Sequence, residues 1–146
     1  MRLTQRTDYA LRALIFLSDR GGAGATAGEI AEAHQVSSGH MLKTMQALRD
    51  AGFVTLGRGR GMPSRLASPA SSIRIGAVVR ALEPLDVVEC LSDERDRCEL
   101  SGGCSLTARL RAARDAFLAE LDRTRLSELS TRRSALVALG LKASAS

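Results

Sequence analysis

Apolar residues recur at helical spacing from Thr7 to Ser18, where Leu11, Leu14, Ile15 and Leu17 form a stripe. Asp8 falls in the first turn of that segment, where a carboxylate suits the helix dipole. The run "RGGAGA" interrupts the pattern. Thr26 followed by Glu29 then has the form of a capping box, opening a second helix that carries Ile30, Ala31 and Ala33. After "HQVSS", Ser37 or Ser38 can cap a third helix, "GHMLKTMQALRDA", in which Met41, Met45 and Leu48 share a face and Gly52 ends the run. Three helices with a tight serine-containing turn between the second and third predict a helix-turn-helix.

The pattern then changes period. "FVTLGRGRGMPSRLAS" sets two short apolar segments, Phe53 to Leu56 and Arg65 to Ala67, around a Gly- and Arg-rich tip, which predicts a β-hairpin wing. "SSIRIGAVVRALEP" offers Ser72 as a cap and Ile75, Val78, Val79 and Leu82 as an apolar face, stopped by Pro84. Beyond a polar segment, Leu106, Leu110, Ala113, Phe117 and Leu121 make one seam on a long amphipathic helix suited to dimerisation. The expected class is mainly α: a winged helix-turn-helix over residues 1–68, a linking helix and connection over 69–88, a cysteine loop over 89–104, a dimerisation helix over 105–130 and a tail over 131–146.

Composition supports helices over a β-sandwich, since aromatic residues are 3% and Trp is absent. A chain of 146 residues can bury one ordinary core. Its net charge of +5 suits a polyanionic partner, and the excess is uneven. Residues 1–66 hold nine Lys/Arg against five Asp/Glu, whereas residues 67–146 hold twelve against eleven. No run of about 18 apolar residues occurs and the first ten residues lack an apolar leader, so the reading expects a cytoplasmic protein without membrane contact, its thiols reduced. The sequence carries no nucleophile–base pair or phosphate-loop motif, so no enzyme is expected.

In a helix-turn-helix the second helix of the pair enters the major groove. The solvent face of residues 38–46 is expected to offer Ser38, His40, Lys43, Thr44 and Gln46 to double-stranded DNA, Lys43 to a phosphate and Gln46 or His40 to a base edge. Arg58 and Arg60 alternate with glycines at the wing tip, a shape that fits along or inside a minor groove. The plainer alternative is a small helical domain with a basic surface, but helix, capped helix, serine turn, helix and hairpin agree in order.

Cys90, Cys98 and Cys104 all lie in "ECLSDERDRCELSGGC". Their spacing is too wide for zinc knuckles or for a redox C-x-x-C pair. Five acidic residues, Glu89, Asp93, Glu94, Asp96 and Glu99, face Arg95 and Arg97 in the same segment, so local charge is expected to raise the thiol pKa values. A metal cation would reverse that penalty. Free thiols or a labile disulfide, an iron–sulfur cluster, and zinc all stay open on the residues alone.

The opening "MRLTQRTDYALRAL", the segment "SSGHMLKTMQALRDAGFV", the stretch "ASSIRIGAVVRALEPLDVVEC" and the two cysteines downstream resemble the iron–sulfur winged-helix repressors of the NsrR and IscR family, most closely the nitric-oxide-sensing NsrR branch. The resemblance implies a homodimer on operator DNA and an iron–sulfur cluster, 4Fe-4S favoured over 2Fe-2S, held by Cys90, Cys98, Cys104 and one further ligand. In the IscR type that ligand is a histidine at the position of Thr107; in the NsrR type it is an aspartate of the other subunit, matched here by Asp8. The function implied is a repressor released from DNA by nitric oxide. A regulator answering to cluster supply or oxidative stress and a metal-free thiol sensor are the alternatives. The Cys90–Cys98 gap is longer than the family's, and the wing lacks its double glycine. An insertion of two residues in a polar loop adds little closure entropy, which keeps all three cysteines in the ligand set.

Overall fold

The computed structural model describes residues 2–59, 61–86, 91 and 104–130. The first helix, α1 (Gln5–Arg20), starts ahead of its apolar stripe because Thr4 takes the N-cap in an extended conformation, its hydroxyl accepting the Thr7 amide at 3.4 Å. The stripe buries Ala10, Ala13, Leu14 and Leu17, with Leu11 and Ile15 half-buried beside them. α2 (Ala27–His34) opens on the expected capping box: the Glu29 amide donates to the Thr26 hydroxyl at 3.2 Å and the Thr26 amide to the Glu29 carboxylate at 2.8 Å. Ile30 and Ala31 turn into the core, whereas Ala33 faces solvent.

Gln35, in the left-handed region at φ 54°, closes α2, and Ser37 caps α3 (Ser38–Asp50) by accepting the His40 amide at 3.2 Å. That turn sets α2 and α3 as a helix-turn-helix. α3 stops where Gly52 at φ 82° donates to the Arg49 carbonyl and Phe53 donates to the Leu48 carbonyl, each at 2.9 Å. This is a Schellman closure, and a left-handed residue there favours glycine. Met41, Met45 and Leu48 are fully buried, so both methionines belong to the core.

The hairpin is short. β1 (Val54–Thr55) pairs antiparallel with β2 (Arg65–Leu66), Val54 opposite Leu66. Its base is sewn to the turn before α2: Ala25 donates to the Ser64 carbonyl at 3.0 Å and Ser64 donates back to Ala25 at 2.8 Å.

α4 (Ile75–Leu82) corrects one expectation. Ser72 does not cap it; the Ser72 hydroxyl donates to Pro69 within a 3-10 turn, and Arg74 takes the N-cap without a side-chain bond. The free amide of Ile75 is instead satisfied by the Thr124 carbonyl at 3.1 Å, from far along the chain. α5 (Ser105–Arg123) lies antiparallel on α4 and ends at Arg123, short of residue 130. Leu126 causes that stop: it is fully buried, its amide donates to Ile73 at 2.8 Å, and burying a leucine stabilises by about 1.5–3 kcal/mol. The tail over 131–146 and most of the 89–104 loop lie outside the described residues. No helix among the described residues is long and apolar enough to cross a membrane.

α4 and α5 meet closely at Gly76. A Cβ there would lie 2.9 Å from the Leu118 carbonyl and closer still to the Asp122 carboxylate, which is held in a two-pronged pair by Arg80 at 2.8 and 2.5 Å. Gly76→Ala is expected to push the helices apart and lower stability by about 1–2 kcal/mol, the cost of overpacking, read by urea denaturation. An unchanged midpoint would mean that α5 yields at this contact.

Candidate DNA-binding face and cysteine site

α3 presents Ser38, His40, Lys43 and Gln46 to solvent, as four of its five expected contacts. Thr44 is the exception. It is 3% exposed, and its hydroxyl donates to the His40 carbonyl at 2.9 Å, a bond that satisfies it inside the helix. Thr44 shares the face of Met41 and Leu48, three and four residues away, so it packs inward, although it also lines the cleft between α3 and α1.

Sequence reasoning did not include α1 in this face. Its first turns and α3 bound a cleft of about 430 Å³ lined by Gln5, Arg6 and Tyr9 on one side and His40, Lys43 and Gln46 on the other. Arg6 and Lys43 place two cations at one opening, against the single carboxylate of Asp50, which is paired with Arg49, and this balance suits a phosphate backbone. At the wing, Arg58 is exposed near the tip, while Arg60 lies outside the described residues.

The start of α1 is held by Glu83, the residue that closes α4. Its carboxylate accepts from the Thr4 amide at 2.9 and 3.1 Å, from the Thr4 hydroxyl at 2.8 Å and from the Thr7 hydroxyl in a short contact. Burial opposes ionisation of Glu83, but the hydrogen bonds from Thr7 and Thr4 prevail and hold its pKa below the ordinary carboxylate value. A carboxylate at a helix N-terminus is also favoured by the free amides and the dipole. Nothing in the local sequence announces this clamp, because Thr4 and Glu83 are 79 positions apart.

Asp8 stands one turn into the same helix, half-exposed, paired with Arg12 at 2.8 Å. Arg12 also lies 5.9 Å from the centre of the Tyr9 ring. Of the cysteines, Cys104 is described, at the N-cap of α5, with its thiol free; Cys90 and Cys98 lie outside the described residues. The Thr107 amide, the Leu106 amide and the Thr107 hydroxyl lower the Cys104 pKa, although none closes a capping hydrogen bond of ordinary geometry. At Cys104 the shift is therefore opposite to the one expected from the acidic loop, because the backbone amides at the start of α5 favour the charged form of the thiol. The Cys104 thiol and the Asp8 carboxylate, which is paired with Arg12, are donor types that fit iron. Among the described residues no three His, Cys, Asp or Glu side chains form a metal-sized group.

Comparison with known proteins agrees with this architecture. The structure resembles that of CymR, the global cysteine regulator of B. subtilis, with a TM-score of 0.68 and 29% identity over 90% of this chain and 97% of that one. Staphylococcus aureus CymR is similar at 26% identity, with a TM-score of 0.67 over 88% of this chain and 97% of the other. T. potens IscR shares the fold, with a TM-score of 0.69 over 99% and 94% of the two chains at 21% identity. Residues 3–132 match the family described as Rrf2, iron-dependent transcriptional regulators, and this mainly helical winged-helix chain is a member of that family of regulators.

Proposed function

We propose that the protein is a repressor whose homodimer binds operator DNA through α3 and the wing, and whose affinity is set by an iron–sulfur cluster sensitive to nitric oxide. The observation that carries this reading is the position of Asp8: a half-exposed carboxylate on the helix that shares its cleft with Lys43 and Gln46. A ligand supplied there ties the cluster to the DNA-binding face. Cys90, Cys98 and Cys104 of one protomer, with Asp8 of the partner subunit, would hold the cluster, which would supply an iron centre open to nitric oxide. The signal itself is taken from the resemblance to the NsrR branch.

The chain's own part is an exchange of partners. Asp8 is held by Arg12 within α1 and would be drawn away from it by the other subunit's site, which would link α1 to that site. A carboxylate would be the weaker ligand for soft iron beside three thiolates, and Arg12, one turn away, would be ready to take Asp8 back. The seam of α5 supports the dimer: Leu106 is 60% exposed, and Leu110 and Phe117 are half-buried in one protomer, an apolar strip that a second copy can cover.

Anaerobically purified protein should carry iron and acid-labile sulfide in fixed ratio, and nitric oxide should release it from operator DNA where peroxide or iron limitation does not. Protein that lacks iron after careful reconstitution sinks this reading. Lys43→Ala should weaken operator binding about tenfold and lower the salt slope by about 1, read by titration at several salt concentrations. An unchanged slope would remove Lys43 from the phosphate contacts.

The lowered pKa of Cys104 favours a second reading, a thiol sensor without metal. The likeness to CymR, also solved in an oxidized form from S. aureus, supports it. That reading predicts DNA release by oxidant, reversal by a thiol reductant, and no iron.

A further inference from the structure

The wing tip carries an apolar side chain that contributes nothing to the core. Met62 is 53% exposed, and the loop around it is built to keep it there. Gly59 and Gly61 take positive φ angles of 100° and 77°, and the Met62 amide donates to the Gly59 carbonyl at 3.4 Å. The two arms of the loop touch: a Cβ on Gly57 would lie 2.5 Å from the Met62 carbonyl oxygen. Pro63 fixes the backbone on the far side, and Ser64, 6% exposed, is bonded in both directions to Ala25. The Arg65 guanidinium donates to the Gly22 carbonyl at 2.8 Å, so the base is anchored to the helical body.

A lone exposed apolar residue is ordinary on a protein surface. Met62 differs in its setting. It shares the tip with exposed Arg58, in the more basic half of the chain. Arg58 can reach the phosphates that border a minor groove, but a thioether has no favourable contact with a phosphate. Against DNA, what remains to it is the sugar walls of the groove and the stacked base steps. An unbranched, polarisable side chain is narrow enough to enter a groove about 6 Å wide.

We infer that Met62 is a wedge that seats against a base step in the minor groove flanking the sequence read by α3. It favours pyrimidine–purine steps, which unstack most easily, so the wing selects DNA by deformability and not by hydrogen bonds. This inference rests on the reading of the chain as an operator-binding dimer.

The test uses the full chain, purified anaerobically, to select duplexes from a randomised 40-base-pair pool, in parallel with Met62→Ala, Met62→Leu and Arg58→Ala. Wild type and Met62→Leu should enrich TA or CA/TG steps at a fixed distance on both sides of a central motif. Met62→Ala should keep the central motif, lose the flanking steps, and bind the wild-type duplex about tenfold more weakly, the size of one mismatched base pair. 2-Aminopurine placed at the flanking step should brighten with wild type and stay dim with Met62→Ala. Arg58→Ala should weaken binding whatever the flank. Equal flanks and equal affinity for Met62→Ala overturn the wedge while leaving the DNA-binding reading intact. A wild-type chain that enriches no duplex overturns both together.

Discussion

Glu83→Ala should lower the thermal midpoint by about 5–10 °C and weaken operator binding, although the residue lies outside the expected DNA surface. Its carboxylate satisfies the Thr4 amide and hydroxyl and the hydroxyl of Thr7, a fully buried residue. Hydrogen bonds to a charged group contribute about 1.5–3 kcal/mol, and a domain of this size loses several degrees per kcal/mol. Removing the clamp leaves the Thr7 hydroxyl with Thr4 at 3.2 Å and frees the start of α1, where Gln5 and Arg6 line the cleft with α3.

The same group makes a pH prediction. The folded pKa of Glu83 lies below its ordinary value of 4.5, so its contribution is fully present above pH 4.5 and is lost as pH falls through the lowered value. Glu83→Gln keeps the shape and removes the charge, and it should flatten this part of the acid limb of a stability curve measured from pH 6 to pH 3. An acid limb identical to that of wild type would show that the clamp does not depend on ionisation.

Those elements that rest on neighbours in sequence were legible. The Thr26–Glu29 box, the Gly52 closure and the hairpin strands each follow from residues within a few positions of one another. Failures share the opposite cause. Ser72 is displaced as a cap because Thr124 supplies the partner for the start of α4, and α5 ends at Arg123 because Leu126 returns to the core beside Ile73. Thr44 was readable: its spacing from Met41 and Leu48 puts it on the inner face, but its hydroxyl suggested a contact with DNA. The clamp was not readable, since a carboxylate before a proline gives no sign of two threonines at the far end of the domain. Arg6 and Tyr9 were hidden for the same reason, as a cleft between α1 and α3 exists only after packing.

The clamp and Asp8 act on one helix with different energies, which separates the fold from its regulation. Asp8→Ala should leave the thermal midpoint of the apoprotein almost unchanged: its ion pair with Arg12 is half-exposed, and such i,i+4 pairs contribute about 0.5 kcal/mol or less. The cluster-bound form should change far more. In the proposed ligand set the loss of Asp8 would leave the three thiolates without a fourth partner, so the protein should lose its iron faster in a chelator challenge and show an altered visible spectrum. Arg12→Ala should act the other way, removing the competitor for Asp8 and slowing iron loss. The two substitutions shift stability little and iron retention in opposite directions, a result that a purely structural role for the pair does not produce. If Asp8→Ala retains the wild-type spectrum and iron release rate, Asp8 is not a ligand.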